Sequence, residues 1–454
     1  MPIQMFKRAF FFIGLAIAAL LLLRAQNQPD IRISYTGGAI PALAVPDLRG
    51  AGGAQSYMAA FNRTLWDDVE GSGFFRMAPK TMYPLAIPQQ PPDFQQDAGA
   101  ARGLRLADWS GPPVSADYLA CGYAAVQNGV LVLYGWVFDA KRDTAANAQV
   151  FGKRYLGSPD EAGARKTAHE FAADIVSMLG GRSVFGTHIY FTSDRTGHKE
   201  IWAMDADGSN QRQITRFNFI AQYPAVSPDG SKIAFTVWPA PGETPRICVY
   251  STNPVRDLRF YNQRSGVNGT PSFTPDGLRI VYMSGVEKAH RIFVADLDGS
   301  NFRPVTFSDS DDAEPKVNPK TGTDIVFSSG RSGPEQVYRA SMDGTSVERL
   351  TDGTGEASNP AWHPNGQMIA FAWTRGYRAG KFNIFSMEVA SRKYDQLTHD
   401  EGKNENPSWD PGGTQIAFGS NRTAKFQIWT MLANGTRLRQ LTTLGNNTNP
   451  VWGR

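Results

Sequence analysis

One short phrase recurs through the second half of this 454-residue chain and constrains its fold more than any other feature. It reads Tyr-Pro-Ala-Val-Ser-Pro-Asp-Gly at 223–230, Thr-Pro-Ser-Phe-Thr-Pro-Asp-Gly at 270–277 and Glu-Pro-Lys-Val-Asn-Pro at 314–319. Asn-Pro-Ala-Trp-His-Pro-Asn-Gly at 359–366, Asn-Pro-Ser-Trp-Asp-Pro-Gly-Gly at 406–413 and a truncated Asn-Pro-Val-Trp at 449–452 follow. The first prolines stand at 224, 271, 315, 360, 407 and 450, in steps of 43 to 47 residues, the length of one four-stranded propeller blade. Each unit continues with a β-branched run such as Ile233-Ala-Phe or Ile416-Ala-Phe. A second alternating run then turns on Asp-Gly, where glycine supplies the positive φ of a tight hairpin. A closing strand is expected at Ile214-Thr, Val305-Thr, Leu350-Thr, Leu397-Thr and Leu441-Thr, while the second unit departs at Asn253-Pro254. The unit starting at His188 lacks a proline phrase and the phrase at 449–452 lacks following strands, so the two fragments complete one blade. The chain is therefore expected to form a six-bladed ring closed by its C-terminal strand, without the exposed edges of an open sheet. Val226, Phe273, Val317, Trp362, Trp409 and Val451-Trp452 are expected to pack between blades.

The fold class is mainly β: a propeller over 182–454, a small α/β domain over 26–181, and a signal peptide or N-terminal anchor over 1–25. Lys7 and Arg8 precede an apolar run from Ala9 to Leu23, which places the body outside the cytoplasm. In the α/β domain, Met58, Phe61, Leu65 and Val69 keep a helical stripe, and Ile31-Arg-Ile-Ser-Tyr and Ala42-Leu-Ala-Val read as strands. Tyr118–Val126 and Val130–Phe138 form a hairpin around Asn128-Gly129. Ser158 as N-cap and Pro159 in the first turn open a helix with the stripe Ala168, Phe171, Ile175 and Leu179. The stretch from Tyr83 to Gln96 reads as an irregular loop. Cys121 and Cys248 read as unpaired buried thiols.

A net charge of +4 without a basic run argues against nucleic acid as the partner. Neither a Gly-x-Ser-x-Gly elbow nor a His-Glu-x-x-His pair is present, and His169-Glu170 reads as a helix-surface pair. No cofactor is called for. The acidic pair Asp205/Asp207 reads as a hairpin turn. Asp309, Asp311 and Asp312 form an oxygen-rich loop that is the sole candidate for calcium. What remains is a surface. The connections into the inner strands, Asn218–Tyr223, Ser265–Thr270, Ser308–Glu314, Asp352–Asn359, Asp400–Asn406 and Gly445–Asn449, are polar and open on one face, a crown suited to docking a protein or peptide.

These blade phrases, six units after a small α/β domain and a signal sequence, resemble the TolB family of the periplasmic Tol-Pal system. Asp30-Ile-Arg-Ile and the segment from Asp68-Val-Glu-Gly-Ser-Gly-Phe-Phe to Pro88-Gln-Gln-Pro are similar to that family's first domain. The resemblance implies a monomeric, non-catalytic scaffold that docks the lipoprotein Pal on the propeller face and engages TolA through its N-terminal segment. Such a scaffold supports outer-membrane integrity and constriction during division. It assigns the N-terminal contact to Asp30, Ile31, Arg32 and Ile33, and the Pal-facing positions to Asn268, Gly269 and Thr270 and to Glu314. Asn359, Asn406 and Asn449 occupy the corresponding place in the later blades. The alternative is an extracytoplasmic propeller enzyme or glycan-binding protein, which requires a converging His/Arg/acid cluster at the channel mouth.

Overall fold

The computed structural model describes residues 40–94, 104–142, 144–240, 242–252, 259–260, 266–286, 289–399 and 401–454. The leader at 1–25, Asp30–Ile33 and Asn253-Pro254 lie outside the described residues. Among the described residues no helix is long and apolar enough to cross a membrane.

In the N-terminal domain the sheet runs Arg76–Met77, Ala42–Ala44, Tyr118–Gln127, Val130–Asp139, Gln149–Gly157, with Arg49–Ala51 also paired to Tyr118–Gln127. Helices α1 (Met58–Gly71) and α2 (Glu161–Ser177) carry the expected stripes into one core: Met58, Phe61, Leu65, Val69, Ala168, Phe171 and Ile175 are all buried there. Asn128 and Gly129 have φ of 51° and 75°, the two left-handed residues of a twist-matched hairpin turn. Two expectations change. The N-cap of α2 is Asp160, whose carboxylate accepts from the Gly163 N–H at 2.7 Å, while Ser158 donates its hydroxyl to that carboxylate. The charged side chain wins because it also favours the positive end of the helix dipole. The edge strand Gln149–Gly157 was not anticipated, since glycine, lysine and arginine along it dilute the apolar alternation.

The propeller has six four-stranded blades, each ordered sequentially from the channel outward. Blade 1 takes its inner strand, Asn447–Gly453, from the end of the chain and pairs it antiparallel with His188–Ser193, as the repeat arithmetic requires. The inner strands of blades 2 to 6 are Ile220–Val226, Asn268–Phe273, Asp312–Val317, Ala357–Trp362 and Asn404–Trp409. The residue two past each first proline packs between blades. Trp362 joins Val326 and Val337 of blade 4 to Ile369 and Phe371 of blade 5. Trp409 does the same between blades 5 and 6, and Trp452 between blades 6 and 1. Indole N–H groups find partners where they are reachable: Trp362 donates to the Lys316 carbonyl at 3.0 Å and Trp452 to Thr187 at 2.8 Å.

The outer strands end just before the Leu-Thr and Ile-Thr pairs expected to form them, at Arg212–Gln213, Arg303–Pro304, Val347–Arg349, Tyr394–Gln396 and Arg439–Gln440. The threonine has a different task. Thr215, Thr306, Thr351, Thr398 and Thr442 each accept, through the hydroxyl, the backbone N–H of Ile201, Ile292, Val337, Ile384 and Ile428 at 2.8–3.1 Å. The side chain thus continues the ladder for one rung after the backbone has left the sheet.

Ring closure rests on the last interblade contact, and Trp452 is its largest side chain, 6% exposed among Ile189, Phe191, Met204, Ala417, Ile428 and Leu441. Trp452→Ala is expected to cost about 3–5 kcal/mol of propeller stability. Chemical denaturation monitored by tyrosine and tryptophan fluorescence would read this, and a loss below about 1 kcal/mol would show that closure does not depend on it.

Candidate docking site

Each inner strand contains a proline, which a continuous ladder excludes. The strands accommodate it with a bulge. Register jumps from Gln222 to Ala225, Gly269 to Ser272, Ala313 to Lys316, Ser358 to Ala361, Glu405 to Ser408 and Thr448 to Val451, so two residues oppose one on the neighbouring strand. The residue before each proline takes the left-handed conformation: Tyr223, Thr270, Glu314, Asn359, Asn406 and Asn449 have φ between 49° and 56°. Asparagine tolerates this region, whereas threonine and tyrosine occupy it only when held. These residues therefore sit inside the inner strands as a ring lining the channel, a correction to their placement on crown loops. The chain must bulge around each proline before the loop's polarity can reach the lumen. Asn268 and Gly269 are buried behind the ring, with the Asn268 amide donating to the Gly266 carbonyl. Asn449 is 8% exposed, and Thr270, Glu314, Asn359 and Asn406 are half-buried.

The ring is tied by a one-way series of hydrogen bonds from blade to blade. The Glu314 N–H donates to Thr270 Oγ1 at 3.3 Å, the Asn359 N–H and Nδ2 to the Glu314 carboxylate at 2.8 and 2.6 Å, the Asn406 N–H to Asn359 Oδ1 at 3.3 Å, and Asn449 Nδ2 to Asn406 Oδ1 at 3.2 Å. At the blade 2 end the Thr270 N–H turns to Thr236 Oγ1 at 3.0 Å. The mouth is acidic. Burial, with Glu314 and Glu356 nearby, pushes the Glu335 carboxyl up to about 7. Burial likewise raises Glu405, which Lys403 holds at 2.7 Å.

A clasp that sequence reading missed backs the ring in three blades. In Ser193-Asp-Arg195, Ser329-Gly-Arg331 and Ser420-Asn-Arg422 the guanidinium Nε donates to the serine hydroxyl at 2.9–3.0 Å. Its Nη2 reaches the first residue of the inner strand: Asn447, Asp312 and Asn404 respectively, at 2.8–3.0 Å. The same groups lie over Trp202, Tyr338 and Trp429 at 4.5–4.9 Å. The repeated Ser-x-Arg was the available signal. This pairing also disperses the calcium candidate. Asp312 is fully buried against Arg331, Asp311 faces His290 at 2.7 Å, and Asp309 faces Arg291 at 3.1 Å. Each carboxylate has its own side-chain partner, and no group of metal ligands forms among the described residues.

A family model described as the TolB beta propeller domain matches residues 176–375 and 350–454. The chain belongs to the TolB family. A TolB homolog from Chlorobium luteolum is 31% identical over 281 residues, covering 62% of this chain and 59% of its own length. A Tol-Pal system protein TolB from Anaeromyxobacter dehalogenans is 30% identical over 313 residues, covering 68% of this chain and 67% of its own. The matched region thus spans about three fifths of the length of the Chlorobium relative. The crystal structure of TolB from Acinetobacter baumannii superposes with a TM-score of 0.72 at 18% identity, over 92% of this chain and 97% of that one, and shows the same fold.

In this TolB propeller a second polar site lies between the domains, in a cleft of about 550 Å³. His169 of α2 is not a helix-surface residue. Its Nδ1 meets Asp68 of α1 at 2.5 Å, its Nε2 lies 3.6 Å from Asp207 in the blade 1 hairpin, and its ring stacks on Phe185 of the linker. Arg437 of blade 6 pairs with Glu70 at 2.7 Å across the same interface. The hairpin reading of Asp205 and Asp207 holds, but their carboxylates also face the other domain. Burial works against the imidazolium, yet Asp68, Asp207 and Asp205 together hold His169 above the ordinary histidine range. Burial also pushes Asp68 up, with His169 pulling back only in part, so the pair competes for one proton.

Two outcomes follow from this geometry. A folded-state histidine value above the unfolded one gives stabilisation that is complete below the unfolded value and lost as pH rises through the folded one. The thermal midpoint is therefore expected to fall as pH rises above the ordinary histidine value of about 6.5 in the wild type and to be flatter there in His169→Gln, as read by calorimetry. Arg331→Ala leaves the Asp312 charge buried without its cation and is expected to cost about 3 kcal/mol or more by urea denaturation.

Proposed function

We propose that the protein is a non-catalytic periplasmic scaffold of the Tol-Pal system that docks the lipoprotein Pal on the channel mouth and engages TolA through Asp30–Ile33. It thereby supports outer-membrane integrity and constriction during division. The observation that carries this reading is the bulged ring of Thr270, Glu314, Asn359, Asn406 and Asn449, whose left-handed backbone and interblade hydrogen bonds hold a polar rim in one arrangement before any partner arrives. A rim ordered in advance loses little conformational entropy on association. The relatives' printed names support the assignment, among them Tol-Pal system protein TolB from Desulfosudis oleivorans.

The enzyme or glycan-binding alternative asks for His, Arg and acid side chains converging at the mouth. The nearest candidates are engaged elsewhere. His363 bonds the Gly413 carbonyl at 3.0 Å and stacks edge-on to Trp409 at the opposite end of the inner strands, where burial holds it below the usual histidine range. Arg375 pairs with Asp352 and covers the rings of Trp373 and Tyr394.

Calorimetric titration of residues 26–454 with the soluble domain of Pal from the same organism tests the proposal. Saturable one-to-one binding is expected, weakened at least about tenfold by Thr270→Arg, which is about 1.4 kcal/mol. No heat with either protein would overturn the Pal reading, and equal affinities would move the contact away from the mouth.

A further inference from the structure

One residue after each proline stand Ala225, Ser272, Lys316, Ala361, Ser408 and Val451, of which Ala225 packs in the core between blades 2 and 3. Five of them, with the bulged residues above, wall a cavity of about 220 Å³, the space of roughly seven waters. Five positions carry a small side chain. The sixth carries an ammonium. No other blade needs a long side chain here, so packing of the inner strands does not explain Lys316.

The Lys316 ammonium has no hydrogen-bond or ion-pair partner among the described residues. Glu314, two residues earlier on the strand, is the natural counter-charge, but its oxygens are taken by the Asn359 N–H, Asn359 Nδ2 and the Ser328 hydroxyl. Lys316 is half-buried on the inner strand, and this partial desolvation holds it below the usual lysine range despite Glu314. A partly desolvated cation without a protein partner gains from a small anion beside it. The rim above carries Glu314, Glu335, Glu356 and Glu405, and their repulsion favours a single negative charge on a small group over a multiply charged anion. Asn406 Nδ2 and the Ser408 hydroxyl stand on the same wall as further donors.

We propose that the propeller channel is a carboxylate-binding site anchored by the Lys316 ammonium. The cavity admits a carboxylate free in solution or one carried on a short side chain, and not a folded element. This inference does not depend on what docks at the mouth.

The test uses the full chain with two probes, acetate for the free anion and acetyl-Gly-Asp-Gly-amide for the tethered one, at constant ionic strength. Saturation-transfer NMR reports binding, and calorimetry reports a saturable rise in Tm of about 1–3 °C. At least one probe is expected to show both effects in the wild type and neither in Lys316→Met, with Lys316→Arg restoring binding. Which probe succeeds identifies the source of the carboxylate. Lys316→Ala repeats the comparison with the residue that blades 2 and 5 already use, so a fold intact by near-ultraviolet circular dichroism is expected. Absence of both effects with both probes in the wild type, or effects of equal size in the methionine and alanine variants, would overturn the site.

Discussion

Ring closure is the constraint on which the other features depend. Each blade is a twisted four-stranded sheet whose faces are apolar on both sides, and neither face is covered unless a neighbour stands on it. Pairing Asn447–Gly453 with His188–Ser193 gives the last blade its missing neighbour. The closed circle then lets hydrogen bonds at the channel pass from blade 3 through blades 4, 5 and 6 to blade 1. An open array would leave that series ending in solvent, where each bond would compete with water.

Proline is central to how a β structure presents polar groups at its axis. A regular inner strand alternates side chains toward the two neighbouring blades and exposes little to the lumen. The proline forbids one rung, the strand bulges, and the preceding residue rotates into the left-handed region. Six repetitions turn a local defect into a ring. The Ser-x-Arg clasps secure three of the six strands just above the bulge, which keeps that defect from spreading. Their aromatic backing removes the guanidinium from water on one side, so the bond to Asp312 or Asn447 forms in a medium of lower dielectric.

Much of the architecture was legible because a propeller repeats its errors as well as its rules. The spacing of Pro224, Pro271, Pro315, Pro360, Pro407 and Pro450 established blade number and closure, and the tryptophans two residues later marked the interblade contacts. Other features depended on information that pattern alone does not carry. Polar Asn-Pro segments read as loops, because nothing in a string of letters separates a loop from a bulge inside a strand. The threonines of the Leu-Thr pairs read as strand because threonine favours strands, while their hydroxyls act as ladder acceptors. His169 read as surface because the hairpin that covers it is about forty residues away in sequence. The channel ring was found in sequence as residues but not as geometry, and Lys316 was overlooked because a single lysine among small residues has no periodicity.

The closing strand follows every other strand of the propeller in the chain. A chain delivered N-terminus first therefore presents it after blades 2 to 6, and until it arrives the first three strands of blade 1 wait with one unpaired edge at His188–Ser193. For that interval the nascent protein presents a strand template with the alternation of a blade interior, to which a neighbouring molecule's own tail is an equally good fit. A crowd of newly delivered chains should thus favour exchanged tails between copies, and no contact of the finished ring guards against it.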